Sequence, residues 1–171
     1  GRSITFGRYT GLTRETEIDF KNDLQARGIP ILPNEVGSRE RLREALPDIL
    51  MTNFSMLQYL LLRPRDRSVF AGTDEGLWRF LVLDEVHSYR GVQGIEVGML
   101  LRRFMERVNR LQTDMQCFAT SATLSSSPED EVLLVQFLQD VFSRSFSENS
   151  GRVVRSQTVP PQENQYYKVP E

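Results

Sequence analysis

The sequence predicts an α/β fold organised around a mostly parallel sheet, and three observations support this prediction. Segments typical of strands alternate with segments typical of helices along most of the chain. Residues 80–83 are four consecutive apolar residues, as a strand buried on both faces of a parallel sheet requires. Acidic and hydroxyl side chains directly follow this segment and a later apolar segment, at the strand ends where open α/β sheets bind ligands.

The first half of the chain alternates between strand and helix signals. Ser38 and Asn53 each precede a helical pattern and are suited to cap it, whereas Gly28 is suited to end one. The helix before Gly28 should turn three apolar side chains inward, namely Ile18, Phe20 and Leu24. Polar residues over 64–76 predict a loop. The predicted elements are a strand over 4–9, a helix over 14–27, a helix over 39–46, a strand over 48–52 and a helix over 54–62.

The second half contains the longest helical pattern, over residues 91–111. Gly94 and Gly98 lie one turn apart in it and should let this helix approach the sheet closely. A further helix begins at Pro128, and its apolar side should comprise Val132, Leu133, Val135, Phe137, Leu138 and Val141. The remaining predicted elements are a strand over 79–83, a strand over 115–120, a last strand over 152–155 and a linker or tail over 157–171.

Length and composition indicate one globular domain without a membrane segment. Of the 171 residues, 39% are hydrophobic and 26% are charged, and the longest apolar runs are too short to span a bilayer. The net charge of -2 excludes a strongly basic surface, so any nucleic-acid contact must come from a local patch. One cysteine and one histidine exclude an internal disulfide and a Cys/His zinc site. No secretory leader is visible, and we expect a reducing compartment, most simply the cytoplasm.

The segment Asp84-Glu85-Val86-His87, at the end of the apolar run, has the residue types of a Walker B motif. A carboxylate at such a strand end, here Asp84, can hold Mg²⁺ through its water shell, and Mg²⁺ bridges nucleotide phosphates. A second carboxylate, here Glu85, can orient and deprotonate an attacking water. Asp-Glu pairs also occur as caps and turns, and a lone histidine such as His87 more often packs or hydrogen-bonds than catalyses.

Ser121-Ala122-Thr123 follows the next apolar strand in the same way. If the two strands are neighbours, the hydroxyls of Ser121 and Thr123 lie beside Asp84 and His87 and can hydrogen-bond to them. The alternative is an ordinary helix cap or turn. The tripeptide is therefore informative mainly because one helix separates it from the Asp-Glu strand.

Taken in order, these motifs resemble the first RecA-like domain of a superfamily 2 DExH-box helicase. Three short elements match motif II, motif III and the Thr-Gly element of that domain: Asp84 to His87, Ser121 to Thr123, and Thr10-Gly11. Residues 47–57 resemble the element that contacts the nucleic-acid backbone. Residues 81–94, with Arg102-Arg103, are similar to the corresponding stretch of MrfA-like repair helicases. The similarity extends from the first strand to about residue 138.

The resemblance implies ATP and Mg²⁺ as cofactors and a role for each matched residue. Asp84 would coordinate Mg²⁺ through water, and Glu85 would activate the attacking water. His87, Ser121 and Thr123 would couple the nucleotide state to strand movement, with the two hydroxyls at the nucleotide site. The implied contacts to phosphates of the translocated strand are Thr10, Gly11, Thr52, Asn53 and Arg90.

The resemblance also implies that the chain is one piece of a motor. The sequence has no G-x-x-x-x-G-K-[ST] phosphate loop, which should precede Gly1, and a second RecA-like domain should follow the tail. Residues 1–156 would be the C-terminal part of the first RecA-like domain, and 157–171 the linker toward the second. We expect the parent to be an ATP-dependent helicase or translocase, on DNA in preference to RNA, and this chain by itself to be inactive.

Two other functions stay open at this point. A degenerate RecA-like domain could be a non-catalytic scaffold or partner-binding module, although a scaffold has no need of Asp84, Glu85, His87 and the two hydroxyls. A different Mg²⁺ enzyme, such as a nuclease, could use Asp84 and Glu85, but the sequence lacks the additional carboxylate and lysine cluster that such an enzyme would be expected to have.

Overall fold

The structure, a computed structural model, describes residues 3–70, 78–89, 91–108, 115–121 and 128–143. Within these ranges strands and α-helices alternate, with short 3-10 helices at Pro64–Val69 and Val86–Ser88. The strands are β1 (Phe6–Tyr9), β2 (Glu35–Val36), β3 (Ile49–Thr52), β4 (Phe80–Leu83) and β5 (Gln116–Ala119). The helices are α1 (Glu17–Ala26), α2 (Arg39–Glu44), α3 (Phe54–Leu62), α4 (Val92–Arg107) and α5 (Pro128–Phe142).

All strand pairs in the described part of the chain are parallel. β1 lies between β2 and β3 in one sheet, and β4 pairs with β5 in another. The pairing aligns Tyr9 with Thr52 and Leu83 with Ala119. The two-residue strand β2 is too short to give a sequence pattern and was not predicted. The alternation of helices with parallel strands confirms the α/β prediction and is consistent with part of a RecA-like domain.

Side chains at the predicted positions cap the helices. Ser38 and Asn53 cap α2 and α3, each accepting a hydrogen bond from the backbone N–H three residues later. Thr16 caps α1 in the same way, so this helix begins three residues later than predicted. Gly28 follows the end of α1 with φ of 65°, a conformation that glycine adopts without strain.

One hydrophobic core joins both sheets to the helices. Trp78, Phe70 and Phe104 pack edge-on or tilted, with ring centroids 5.5 to 5.7 Å apart. Burying side chains of this size contributes about 1.5–3 kcal/mol each. The strand residues that contribute to this core are Tyr9, Val36, Leu50, Leu81, Leu83, Cys117 and Ala119. Because both sheets turn one face toward the same core, their other faces both point away from it.

The prediction that residues 80–83 are buried on both faces is wrong for the described part of the chain. Phe80 and Val82 of β4 are 60% and 59% exposed, and Phe118 of β5 is 49% exposed. The Phe80 and Phe118 rings contact each other at a centroid distance of 6.0 Å. The apolar run therefore identifies a strand suited to burial on both faces, but the described residues cover only one.

Close packing of α4 against α5 depends on a glycine. A Cβ at Gly94 would lie 2.9 Å from the Phe137 ring, and Gly98 faces the Val141 backbone. The two glycines therefore let α4 pack closely against α5, and not against the sheet as predicted. Leu133, expected on the apolar side of α5, is 64% exposed.

Two other side chains predicted to be inward are exposed. Ile18 of α1 is 72% exposed and Val132 of α5 is 65% exposed. Phe20 and Leu24, four residues apart, form the buried stripe of α1, and Ile18 falls about 200° around the helix from Phe20. Val132 is likewise off the stripe that Phe137 and Val141 define.

The predicted loop over 64–76 begins instead with a 3-10 helix, two of whose residues are buried. Asp66 and Val69 are fully buried, and Phe70 is 3% exposed. The polar composition predicts a loop, but Asp66 is buried with its Oδ1 hydrogen-bonded inside the protein, and its Oδ2 is buried without a hydrogen bond to the described residues. Residues 71–77 lie outside the described residues, as do Arg90, Leu111, Thr123 and the segments predicted as a strand at 152–155 and a tail at 157–171.

Asp66 is the centre of a buried hydrogen-bond network. Its Oδ1 accepts the Tyr9 hydroxyl at 2.7 Å and Arg43 Nε at 2.8 Å. Burial, and then the bond to Asp66, raise the pKa of Tyr9 to about 12. Burial by itself would raise the pKa of Asp66, but the hydrogen bonds from Tyr9 and Arg43 outweigh it and hold that pKa below its usual value. Asp66 is therefore ionised at neutral pH.

None of the described helices is both long enough and apolar enough to cross a membrane.

Replacing Asp66 by asparagine should reduce stability at neutral pH and matter less in acid. The pKa of Asp66 is lower in the folded than in the unfolded protein. The stability that the ionised carboxylate contributes is therefore fully present above its unfolded pKa of about 4, and it is lost as pH falls through the folded pKa. We expect Asp66→Asn to lose about 1.5–3 kcal/mol of unfolding free energy at pH 7. Urea denaturation at pH 7 and at about pH 3 measures the difference from wild type, which should narrow in acid. A difference that stays constant would contradict this account.

Candidate active site at the strand ends

The register of β4 and β5 places their carboxyl ends side by side. Leu83 and Ala119 are the last aligned pair, so Asp84 follows one strand where Thr120 follows the other. The Thr120 N–H donates to the Leu83 carbonyl and the Val86 N–H donates to the Thr120 carbonyl, each at 2.9 Å. These backbone bonds continue the pairing past the strands and hold the two motif segments together.

Asp84 has one carboxylate oxygen fixed by its neighbours. Oδ1 accepts a hydrogen bond from the Thr120 hydroxyl and another from the Glu85 backbone N–H at 3.1 Å. Oδ2 makes no hydrogen bond to the part of the chain that the structure describes, and the residue is exposed. Asp84 therefore presents an oriented oxygen to solvent at the strand edge.

Thr120 belongs to this site, although sequence reasoning did not select it. Its hydroxyl donates to Asp84, and its Oγ1 lies 3.4 Å from the Glu85 backbone nitrogen, which donates to it. The available signal was position, because Thr120 directly follows β5 as Asp84 directly follows β4. Using that signal requires knowing that the two strands pair.

Glu85 turns the chain sharply after β4. Its backbone lies in the left-handed region, with φ of 51° and ψ of 45°, which costs a non-glycine residue about 1–2 kcal/mol. The turn returns His87 toward β5, where its Nδ1 lies 3.0 Å from Ser121 Oγ and 3.1 Å from Glu85 Oε2. A proton on Nδ1 can be donated to either oxygen.

The structure thus brings together four of the residues selected at these strand ends: Asp84, Glu85, His87 and Ser121. The contact between His87 and Ser121 is the one expected if the two strands are neighbours. Thr123 and Arg90, selected for the nucleotide and for nucleic acid, lie outside the described residues.

The remaining selected residues gather at the ends of β1 and β3. Because Tyr9 aligns with Thr52, Thr10 and Asn53 follow neighbouring strand ends. The Thr52 hydroxyl donates to the Tyr9 carbonyl at 2.7 Å, so its only proton is used within the protein. Asn53 caps α3 with its side-chain oxygen and keeps an exposed amide NH₂ group, which can donate to an anion.

Thr10 and Gly11 lie in an exposed turn. The Thr13 N–H donates to the Thr10 carbonyl at 3.2 Å, and Thr10 Oγ1 accepts from the Leu12 N–H at 3.3 Å. The Gly11 N–H has no acceptor among the residues described here. The donors available at this edge are therefore the Asn53 amide and the Gly11 N–H, rather than the Thr52 hydroxyl.

The carboxylates suit a metal that arrives with a nucleotide. Among the described residues, no three His, Cys, Asp or Glu side chains group closely enough to hold a metal by themselves. Mg²⁺ at nucleotide sites needs only one or two carboxylates, because water and phosphates supply the other ligands. The free oxygen of Asp84 fits that requirement.

Comparison with known families gives one match that spans most of the chain. The family model described as DEAD/DEAH box helicase matches residues 9–132. The matched range contains both groups of strand-end residues described above. No solved structure shows significant similarity to this chain.

Two curated relatives are much longer than this chain. "Druantia protein DruE" of Escherichia coli (strain UMEA 4076-1) is 40% identical over 113 residues, which are 63% of this chain and 6% of the relative. "Uncharacterized ATP-dependent helicase MJ1574" of Methanocaldococcus jannaschii is 29% identical over 154 residues, which are 88% of this chain and 22% of the relative. The chain therefore spans less than a quarter of either relative.

The left-handed backbone at residue 85 should be measurable as strain. Glycine adopts this conformation without the Cβ clash that alanine retains, so Glu85→Gly should unfold with about 1 kcal/mol more free energy than Glu85→Ala. Urea denaturation of the two variants compares them directly, since both lack the carboxylate. Equal stability, or a more stable alanine variant, would show that the backbone at this position is not strained.

Proposed function

Because this chain belongs to the DEAD/DEAH box helicase family, we propose that it is part of the first RecA-like motor domain of an ATP-dependent helicase or translocase. The observation that carries the proposal is the junction of β4 and β5, where Thr120 bonds to Asp84 and Ser121 lies 3.0 Å from His87. A scaffold would not require hydroxyls on one strand end to meet a carboxylate and an imidazole on the next.

The proposed cofactors are ATP and Mg²⁺. When bound, they supply the phosphoanhydride bond that is broken and the positive charge that offsets the phosphate oxygens. Asp84 would hold the metal through water, with its orientation fixed by Thr120. Glu85, 53% exposed at the side chain, would accept a proton from the attacking water.

His87 would connect hydrolysis to the neighbouring strand. Its Nδ1 is within 3.1 Å of Glu85 Oε2 and within 3.0 Å of Ser121 Oγ, so it can exchange one hydrogen bond for the other. A change of charge or position at Glu85 would therefore be felt at Ser121. Thr123 is proposed to act with Ser121, on the basis of the motif.

The nucleic-acid contacts are proposed at the ends of β1 and β3. Hydroxyl, amide and backbone N–H groups bind phosphate without reading bases, and the Gly11 N–H and Asn53 amide are suitable donors. Thr10 and Thr52 would contribute through their backbone and by shaping this edge, and Arg90 is proposed from the sequence. The resemblance to repair helicases favours DNA over RNA as the substrate.

Other parts of the parent protein would complete the motor. The 171 residues contain no G-x-x-x-x-G-K-[ST] sequence, and backbone amides and a lysine in that loop provide most phosphate affinity. We propose that the parent supplies this loop and a second RecA-like domain, in keeping with the greater length of both relatives. The single cysteine is compatible with a cytoplasmic location.

Glu85→Gln in the full-length parent should abolish nucleic-acid-stimulated ATP hydrolysis. The amide keeps the size of the side chain but cannot take a proton from water, so turnover should fall about 100-fold or more. A coupled assay for released phosphate measures this effect. Glu96→Gln, the same change at an exposed position on α4, is the matched control, and the isolated 171-residue chain should show no turnover. A Glu85→Gln parent that hydrolyses ATP normally would refute the assignment.

Asn53→Asp should weaken nucleic-acid binding without loosening the fold. Aspartate caps a helix as well as asparagine, but it replaces a donor to phosphate by a negative charge. We expect the single-stranded DNA concentration that half-saturates the parent's ATPase to rise about tenfold. Gln58→Glu makes the same charge change at an exposed position on α3 and should have little effect.

The same titration with DNA and RNA of one base sequence tests the preference for DNA. DNA should half-saturate the ATPase at the lower concentration. Equal effects of Asn53→Asp and Gln58→Glu would argue that residue 53 responds only to general charge and does not touch phosphate.

A further inference from the structure

Arg39 reaches from α2 into the turn that contains Thr10 and Gly11. Its side chain is only 15% exposed. One of its terminal nitrogens donates to the Thr10 carbonyl at 3.0 Å and to the Gly11 carbonyl at 3.3 Å. The start of α2 is anchored beside the same turn, because the Arg39 backbone N–H donates to the Arg14 carbonyl at 2.9 Å.

These two bonds, together with the Thr13 N–H that donates to the Thr10 carbonyl, fix which way the peptide groups of the turn point. In a planar trans peptide the carbonyl and the following N–H point in opposite directions, and the described residues contain no cis peptide bond. The Thr10 carbonyl points inward to Arg39, so the Gly11 N–H on the same peptide points away from it. Arg39 thus binds both carbonyl ends, sharing that of Thr10 with the Thr13 N–H, and the positive Gly11 N–H end is left outside.

A network of charged groups holds Arg39 in this position. Its other terminal nitrogen lies 3.7 Å from Glu15, and its guanidinium stands 5.6 Å from the centre of the Tyr9 ring. Arg43 donates to Glu15 at 2.6 Å and, through Nε, to the buried Asp66. The hydrogen bond from Arg43 is the main reason that the pKa of Glu15 lies below its usual value.

The charges of the network partly offset one another, and Arg65 adds a further positive charge near both carboxylates. Arg39 and Arg43 carry two positive charges, and Glu15 and Asp66 carry two negative charges at neutral pH. Arg39 directs one terminal nitrogen at carbonyls of its own chain and the other toward Glu15, and its Nε is buried without a hydrogen bond to the described residues, so it offers little to a polyanion. Its effect on phosphate binding must therefore come through geometry.

We propose that Arg39 is a positioning residue for nucleic-acid binding, which orients the Gly11 N–H toward a backbone phosphate. The inference rests on the proposed function and adds a residue outside the sequence motifs. The geometry of the Thr10-Gly11 turn, rather than the charge of Arg39, is what the bound strand would detect.

The test measures how single-stranded DNA stimulates the ATPase of the full-length parent. Arg39→Met keeps the aliphatic stem on Tyr9 but removes both carbonyl bonds. We expect the half-saturating DNA concentration to rise about tenfold, while turnover at saturating DNA stays within about twofold of wild type. Arg41→Met, which removes an exposed arginine from the same helix, is the matched control and should behave as wild type.

Two further readouts separate positioning from direct contact and from general damage. A residue that touches phosphate lowers the salt dependence of binding by about 0.7 per contact on a single strand, whereas Arg39→Met should leave that slope unchanged. In a Gly11→Pro parent, which lacks the N–H, adding Arg39→Met should cost little more, because both changes remove one interaction. If Arg39→Met does not fold, Arg39→Lys should show a smaller rise of about threefold.

The outcomes distinguish this inference from the proposed function. A wild-type parent whose ATPase ignores nucleic acid would refute the proposed function itself. A stimulated wild type in which Arg39→Met matches Arg41→Met would refute the positioning role only. A reduced salt slope, or full additivity with Gly11→Pro, would also overturn it, by making Arg39 a direct contact or a separate structural residue.

Discussion

The parallel pairing of β4 with β5 is the constraint on which the candidate active site depends. Aligning Leu83 with Ala119 places Asp84 opposite Thr120 and returns His87 to Ser121. A shift of one residue would turn every side chain of β5 to the other face and separate these groups. The core side chains of both strands prevent such a shift, because Leu81, Leu83, Cys117 and Ala119 must all face the same apolar interior. Packing thus fixes the register, and the register builds the site.

The second group of residues, at the ends of β1 and β3, depends in a similar way on Tyr9. Its carbonyl accepts the Thr52 hydroxyl, and its own hydroxyl donates to Asp66. Tyr9 thereby joins β1 both to β3 and to the 3-10 helix Pro64–Val69. The two segments that carry the proposed phosphate contacts begin directly after Tyr9 and Thr52. Their relative position follows from the pairing of β1 with β3 and from the buried carboxylate of Asp66.

Local sequence patterns predict most of the elements and motifs. Interactions between residues far apart in the sequence could not be predicted from it. The caps at Ser38 and Asn53 and the Asp84-Glu85 strand end depend on residues close in sequence, so their patterns are readable. Asp66 looked like a loop residue because its partners, Tyr9 and Arg43, are 57 and 23 positions away. Thr120 was missed for the same reason, since its role requires the pairing of two strands. The uncovered face of β4 shows a different limit: an apolar run indicates what a strand is suited to, but not which residues cover it.

The two groups of residues differ in how the protein holds them, and this difference bears on how they could be coupled. The group at the ends of β4 and β5 includes a left-handed backbone at Glu85, whereas the Thr10-Gly11 turn is held by the mostly buried Arg39. Helix α4 follows the catalytic turn and packs against α3, the helix that Asn53 caps. Because interiors are close-packed, α4 has little room to move without displacing α3. The packed contact between α3 and α4 therefore joins the helix that follows the Glu85 turn to the helix that Asn53 caps.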